Sequence, residues 1–219
     1  MEAIAEGVAE LEAKAAVHSL LAQAMNYPDA KLVDSLRKGK FPAALCESLA
    51  TLGDTSLKEA IEKCGAEYQR GDAATKHEVL LDLERDYTRM FFSSKPRLAY
   101  LFESVYREGR LLQESTFEIA RLYREAGLVL QEDFRLPPDH IAVELEFLSF
   151  LAFQEIEGLK SGNNEKADYA RELEERVVNE HLRAFALNVA ERVAQHGRTP
   201  FYRTIAQVLK RYYSQEVSA

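Results

Sequence analysis

The residues that could do the most chemistry lie in one stretch, Leu136 to Glu146, which reads LPPDHIAVELE. Each proline disfavours helical geometry in the residue before it, so the chain should enter this stretch in an extended form. We expect Asp139 in the first turn of a new helix, where a carboxylate meets free backbone amides and the positive end of the helix dipole. His140 adds a group that titrates near neutral pH. These residue types could cap a helix, bind a cation or move a proton.

The sequence leaves two interpretations open for this stretch. Asp139 either caps the helix or pairs with a guanidinium group, and His140 is either a hydrogen-bonded structural residue or a binding residue. Glu144 and Glu146 lie two positions apart, so on a helix they point about 200° apart and cannot form a carboxylate dyad. From Asp139 to Glu157 there are five acids and no base, which favours either a cationic partner or a solvated helix face.

Catalytic signatures are absent from the sequence. It has no glycine-rich phosphate loop, no GxSxG and no HExxH, and its five histidines do not have metal-ligand spacings. Acids and arginines alternate around residues 84–89, which is typical of a solvated helix face. We therefore expect a binding protein without a cofactor or metal, not an enzyme.

Composition narrows the class of partner. The chain has 219 residues and a formal net charge of −8, which argues against nucleic acid as a partner. No apolar run is long enough for a membrane span, so we expect no stable membrane insertion. The first residues, MEAIAEGVAE, lack the features of an export signal, so we expect a cytoplasmic protein.

Helical periodicity dominates the chain and predicts an all-α compact bundle of about nine to eleven helices. The clearest helices are expected at residues 2–25, at 74–91, from the double proline onward, and at 165–196 with an interruption near Asn179. Residues 98–110 hold three aromatic residues without a clear period and predict a structured loop or short helix. The proline pair suggests an N-terminal block, 1–135, a hinge, 136–138, and a C-terminal block, 139–219. Exchange of the second block would give a minor domain-swapped dimer beside a monomer.

Several segments, in order, resemble one protein family. They are LERDYTRMF at 83–91, FESVY at 102–106, PPDHIAVELEFL at 137–148, HL at 181–182 and TPFY at 199–202. They are similar to motifs of the TorD/DmsD/NarJ family of cytoplasmic redox-enzyme maturation chaperones, and the order and spacing match from about residue 80 to 213.

The resemblance implies a TorD-like helical fold and a function. Family members bind the twin-arginine signal peptide, and often the body, of a molybdenum-cofactor oxidoreductase subunit until its cofactor is inserted, and they catalyse nothing. The peptide-binding candidates carried over are Tyr87, Phe91, Phe102, Glu103, Ser104, Tyr106, Pro138, Asp139, His140 and Glu144. We expect a groove between residues 87–106 and the start of the central helix. The alternatives are a nucleotide-binding or hydrolysing enzyme and a structural subunit of a respiratory complex.

Overall fold

A computed structural model describes residues 2–69, 75–93, 95–129 and 136–214. These residues form eleven α-helices and two π-helical segments, with no named strand among them, so the prediction of an all-helical fold is confirmed. The elements are α1 Glu2–Met25, α2 Ala30–Arg37, α3 Lys40–Thr51, α4 Lys58–Gln69, α5 Lys76–Thr88, π1 Arg89–Ser93, α6 Glu103–Glu108, α7 Glu114–Glu125, α8 Ile141–Ser161, α9 Asn164–Arg176, π2 Val177–Leu182, α10 Arg183–His196 and α11 Pro200–Ser214.

The helices fall into two compact units. Unit 1 comprises Met1–Ala22 and Leu101–Phe185, and unit 2 comprises Gln23–Tyr100 and Ala186–Ala219. These units do not coincide with the blocks 1–135 and 139–219 that the proline pair suggested. Exchange of the block 139–219 between two chains stays a prediction. Residue 74, at the predicted start of a helix, and residue 135, at the predicted block boundary, lie outside the described residues. No helix of the described part of the chain is long and apolar enough to cross a membrane.

Unit 1 is built around α8, which is buried over most of its circumference, as the nearly continuous apolar run predicts. Its first turn is capped by His140 and its last is closed by Gly162 at φ 72°. The helix α9 packs closely against α8, since a Cβ on Gly158 would come within 2.7 Å of the Ala167 amide nitrogen. The interruption predicted near Asn179 is present as the π2 segment.

Unit 2 contains α2 to α5, π1 and α11. The helix α5 begins with a capping box, in which the Glu78 amide donates to the Thr75 hydroxyl and the Thr75 amide donates to the Glu78 carboxylate. Leu83 and Tyr87 form its buried face, and Met90 continues that face into π1.

Asp86 ties α5 to the start of α11 and corrects the sequence interpretation of residues 84–89. It is buried, not part of a solvated face. Its Oδ2 accepts hydrogen bonds from the Arg198 and Thr199 amides at 2.8 and 2.7 Å, and Arg89 donates to Oδ1 at 2.8 Å. Burial pushes the pKa of this carboxyl upward, but the hydrogen bonds from Thr199, Arg89 and Arg198 outweigh that effect, so the pKa lies below its usual value.

We expect Asp86→Ala to lower the free energy of unfolding by on the order of 2–4 kcal/mol, because it leaves the Arg198 and Thr199 amides without their acceptor and removes the carboxylate that pairs with Arg89. Asp82→Ala, on the same helix and 70% exposed, is the matched control and should change it by less than about 0.5 kcal/mol. Urea denaturation measures both. Because the pKa of Asp86 is depressed in the folded state, the difference between wild type and Asp86→Ala should shrink as the pH falls below about 4. Equal effects of the two substitutions would contradict this role.

Candidate functional site

Two separate stretches of unit 1 that carry predicted site residues lie side by side. The Ile141 amide donates to the Leu101 carbonyl at 2.9 Å, and the Glu103 amide donates to the Asp139 carbonyl at 3.0 Å. Between these bonds, Phe102 and His140 form an isolated antiparallel bridge. The start of α6 and the start of α8 therefore share one short piece of paired backbone.

Asp139 is fully buried at this junction, and the expectation that it lies in the first turn of α8 is wrong. The helix begins at Ile141, and its N-cap is His140, whose Nδ1 accepts from the Ala142 amide at 3.1 Å. Asp139 Oδ2 instead accepts from the Ser104 amide at 3.0 Å and the Ser104 hydroxyl at 2.6 Å. The carboxylate thus caps α6, 35 residues earlier in the chain, because the double proline holds residues 137–139 outside the new helix.

Glu103 is the second buried acid, and its charge is compensated. Arg107, one turn later on α6, donates to its carboxylate at 2.8 Å, and His181 Nδ1 lies 3.0 and 3.1 Å from its two oxygens. The Arg107 side chain is 42% exposed and also approaches Glu118 at 3.5 Å. Arg107 therefore connects a buried carboxylate with solvent.

Glu144 is the third buried acid and differs from the other two. Neither of its carboxylate oxygens has a hydrogen-bond partner within the described residues. Burial, and then the charges of Glu103 and Asp139, raise the pKa of Glu144 well above its usual value. The protonated form of this acid is therefore favoured over a wider pH range than that of an exposed glutamic acid. Glu146, two positions on, is exposed, as the helical geometry predicts.

Half-buried groups surround the three acids. Phe102 stacks edge-on against the His140 ring with centroids 5.3 Å apart, and Tyr106 lies 5.6 Å from Phe185. Pro138 is half-buried, and its carbonyl accepts from the Tyr123 hydroxyl at 2.7 Å. Burial lowers the pKa of His140 to about 4, so its imidazole is neutral at neutral pH. The arrangement combines buried carboxyl groups with a partly exposed aromatic rim.

Tyr87 and Phe91, the two remaining predicted site residues, belong to unit 2 and are buried. The Tyr87 hydroxyl donates to the Met25 carbonyl at 3.2 Å, and its ring lies 4.8 Å from that of Phe91. The structure therefore assembles eight of the ten predicted residues in unit 1, and the predicted groove stays a prediction.

Sequence reasoning did not select Arg107, Tyr123 and His181 as site residues. Arg107 could have been found from its spacing of four from Glu103, which favours a helical ion pair. His181 was noted only as part of a motif, because its contact with Glu103 joins positions 78 residues apart. Within the described residues, no group of three or more histidine, cysteine or acidic side chains could hold a metal ion.

Comparison with known proteins identifies the family. The family model described as nitrate reductase delta subunit matches residues 38–191, a span that contains all ten predicted site residues. The chain belongs to this family. The family resemblance stated from the motifs is thereby confirmed.

Two relatives of this chain are named as chaperones. The chain is 26% identical over 164 residues to chaperone protein TorD of Vibrio parahaemolyticus, and the aligned segment covers 74% of each chain. It is 31% identical over 134 residues to chaperone protein TorD of Escherichia coli O7:K1, which covers 61% of each. The names of these relatives support a chaperone role.

One solved structure has a fold similar to that of this chain. A proposed redox enzyme maturation protein from Archaeoglobus fulgidus matches with a TM-score of 0.54 and 23% identity, over 92% of this chain and 94% of the other. At this identity the likeness concerns the fold alone.

Replacement of Glu144 by glutamine tests whether burial raises the pKa of this acid. Glu144→Gln keeps the shape of the neutral acid and removes its titration. Because the folded-state pKa of Glu144 is raised, the folded chain binds more protons than the unfolded chain once the pH exceeds about 4.5. The wild type should therefore lose stability relative to the variant as the pH rises, by at most about 1.4 kcal/mol per pH unit.

Urea denaturation of both proteins from acidic to mildly alkaline pH measures this difference. Glu146→Gln, which changes an exposed acid on the same helix, is the control and should show no such trend. A Glu144→Gln difference that stays constant with pH would show that the pKa of Glu144 is not raised in the folded protein.

Proposed function

We propose that this protein is a chaperone that binds the twin-arginine signal peptide and the apo form of a molybdenum-cofactor oxidoreductase subunit, and supports cofactor insertion before export or assembly. The family and the relatives named chaperones support the general role. The junction of α6 and α8 supports the more specific one. On this proposal the chain acts by binding and catalyses no reaction.

The observation that carries the proposal is the charge balance at this junction. Glu103, Asp139 and Glu144 are buried there, but Arg107 compensates Glu103 and the raised pKa of Glu144 favours its neutral form. Asp139 has no cationic partner within the described part of the chain. The uncompensated carboxylate of Asp139 therefore makes this part of unit 1 electrostatically complementary to a peptide that carries guanidinium groups.

The aromatic rim suits the second half of such a peptide. A twin-arginine signal peptide continues into an apolar stretch, which needs an apolar surface to bind. Phe102, Tyr106 and Pro138 are half-buried and thus keep part of their surface available for contact. We infer that these three residues make the direct contacts.

Asp139 has a different part in this proposal. It has no exposed surface, so its first effect on the peptide is to hold Phe102 and Ser104 in place through the cap of α6. Its second effect is the negative charge that it adds beneath the rim. Both effects are lost together when the carboxylate is removed.

Titration calorimetry with a synthetic peptide, two consecutive arginines followed by an apolar stretch, tests the proposal. Asp139→Ala should weaken binding by tens-fold or more, because it removes both the negative charge beneath the rim and the cap that positions Phe102. Phe102→Ala should weaken it less. Added salt should reduce the affinity, and a peptide with two lysines should bind more weakly than the arginine peptide.

Two controls separate binding from folding. Phe117→Ala and Glu172→Gln change exposed residues of unit 1 and should leave the affinity unchanged. Circular dichroism of Asp139→Ala checks that the helices persist, and Asp139→Asn provides a milder variant. Affinity that is unchanged in Asp139→Ala and in Phe102→Ala would place peptide binding elsewhere.

A further inference from the structure

Unit 2 contains a cavity that the proposed function does not use. Its volume is about 450 Å³, and it lies where α5 meets the start of α11. Its polar lining consists of Asp82, Arg85, Asp86, Arg89, Arg198 and Thr199. A smaller cavity of about 190 Å³ adjoins it, since both are lined by Asp82, Thr199 and Pro200. A total volume of this order is typical of sites that bind ligands.

The three arginines of the larger cavity differ in exposure and in how many hydrogen bonds fix their guanidinium groups. Arg89 is 23% exposed, and its Nη2 donates to Asp86 and to the His196 carbonyl, so its guanidinium is fixed. Arg85 is 74% exposed and lies 3.5 Å from the equally exposed Asp82, which is a weak surface pair. Arg198 is exposed, and within the described residues its guanidinium has no hydrogen-bond partner. One fixed and two adjustable guanidinium groups thus face the same space.

The charge of the lining selects among anions. Three arginines against Asp82 and Asp86 leave the larger cavity with a formal charge of +1, and Glu67 adds one negative charge in the smaller cavity. This balance suits a single carboxylate in the larger cavity better than a multiply charged phosphate. Phosphate sites at helix starts also use free backbone amides. At the start of α11, the Arg198 and Thr199 amides are already bonded to Asp86. The chain as a whole carries −8, so a basic lining here is a local feature and not a consequence of composition.

The smaller cavity has apolar lining residues, so a ligand that enters it needs an apolar group. Tyr68, Val79 and Pro200 are half-buried residues of its lining, and Leu83 lies beneath them without exposed surface. The lining also contains the exposed Glu67. A ligand that fills both cavities needs a carboxylate beside an apolar group. An acidic residue next to an apolar residue in a peptide has this chemistry.

We propose that these two cavities bind an acidic peptide segment, with the acidic side chain between Arg85, Arg89 and Arg198 and an apolar neighbour against Tyr68 and Val79. This site is separate from the α6–α8 junction and does not depend on recognition of a signal peptide. In a chaperone, it would give unit 2 a contact of its own with a partner protein.

The test uses the full chain and a short blocked peptide with one glutamate beside one leucine, titrated by two-dimensional amide NMR. We expect shifts at residues 82–89 and 198–200. The same peptide with glutamine in place of glutamate should bind at least ten-fold more weakly. Replacement of its leucine by alanine should also weaken binding.

Variants of the two exposed arginines complete the test. Arg85→Glu and Arg198→Glu should each reduce the affinity at least ten-fold, whereas Lys31→Glu makes the same charge change at another exposed position of unit 2 and should not. Equal binding of the glutamate and glutamine peptides, or equal affinity in Arg198→Glu and Lys31→Glu, would overturn the proposal. Inorganic pyrophosphate that binds this cavity more tightly than the peptide would overturn the choice of a carboxylate ligand.

Discussion

Asp139 Oδ2 accepts two hydrogen bonds from Ser104, one from the amide at 3.0 Å and one from the hydroxyl at 2.6 Å, in a place that is closed to solvent. A buried carboxylate is stable only when it is well bonded, and a helix start needs an acceptor for its free amides. The contact between Ser104 and Asp139 supplies both the hydrogen bonds of the carboxylate and an acceptor for an amide at the start of α6. The positions of Phe102, Glu103 and Tyr106 depend on it, because α6 is only six residues long and has no side-chain cap of its own.

In unit 2, Asp86 is likewise a buried carboxylate that accepts hydrogen bonds from the amides at a helix start. Its carboxylate accepts from the amides at the start of α11, 112 and 113 residues later in the chain, and from Arg89. In both units a buried aspartate thus links a helix start to a distant segment. The energetic consequence is also shared, since removal of either carboxylate leaves several buried donors without an acceptor.

The sequence predicts the helices well and the roles of the acids poorly. Apolar periodicity and the double proline are local signals, so α8 and the π2 interruption near Asn179 could be anticipated. The partners of Asp86 and Asp139 lie 112 and 35 residues away in sequence, and no local pattern reveals such a contact. Local charge alternation around Asp86 therefore suggested a solvated face, and the position of Asp139 after two prolines suggested a cap of α8.

Hydrogen–deuterium exchange of the full chain, with and without a two-arginine signal peptide, tests most directly whether the junction of α6 and α8 receives that peptide. Exchange reports on backbone amides throughout both units, so the result does not depend on any substitution. The account predicts slower exchange in residues 101–108 and 138–144 when the peptide is bound. Protection confined to unit 2, or no change at the junction despite measurable binding, would contradict it.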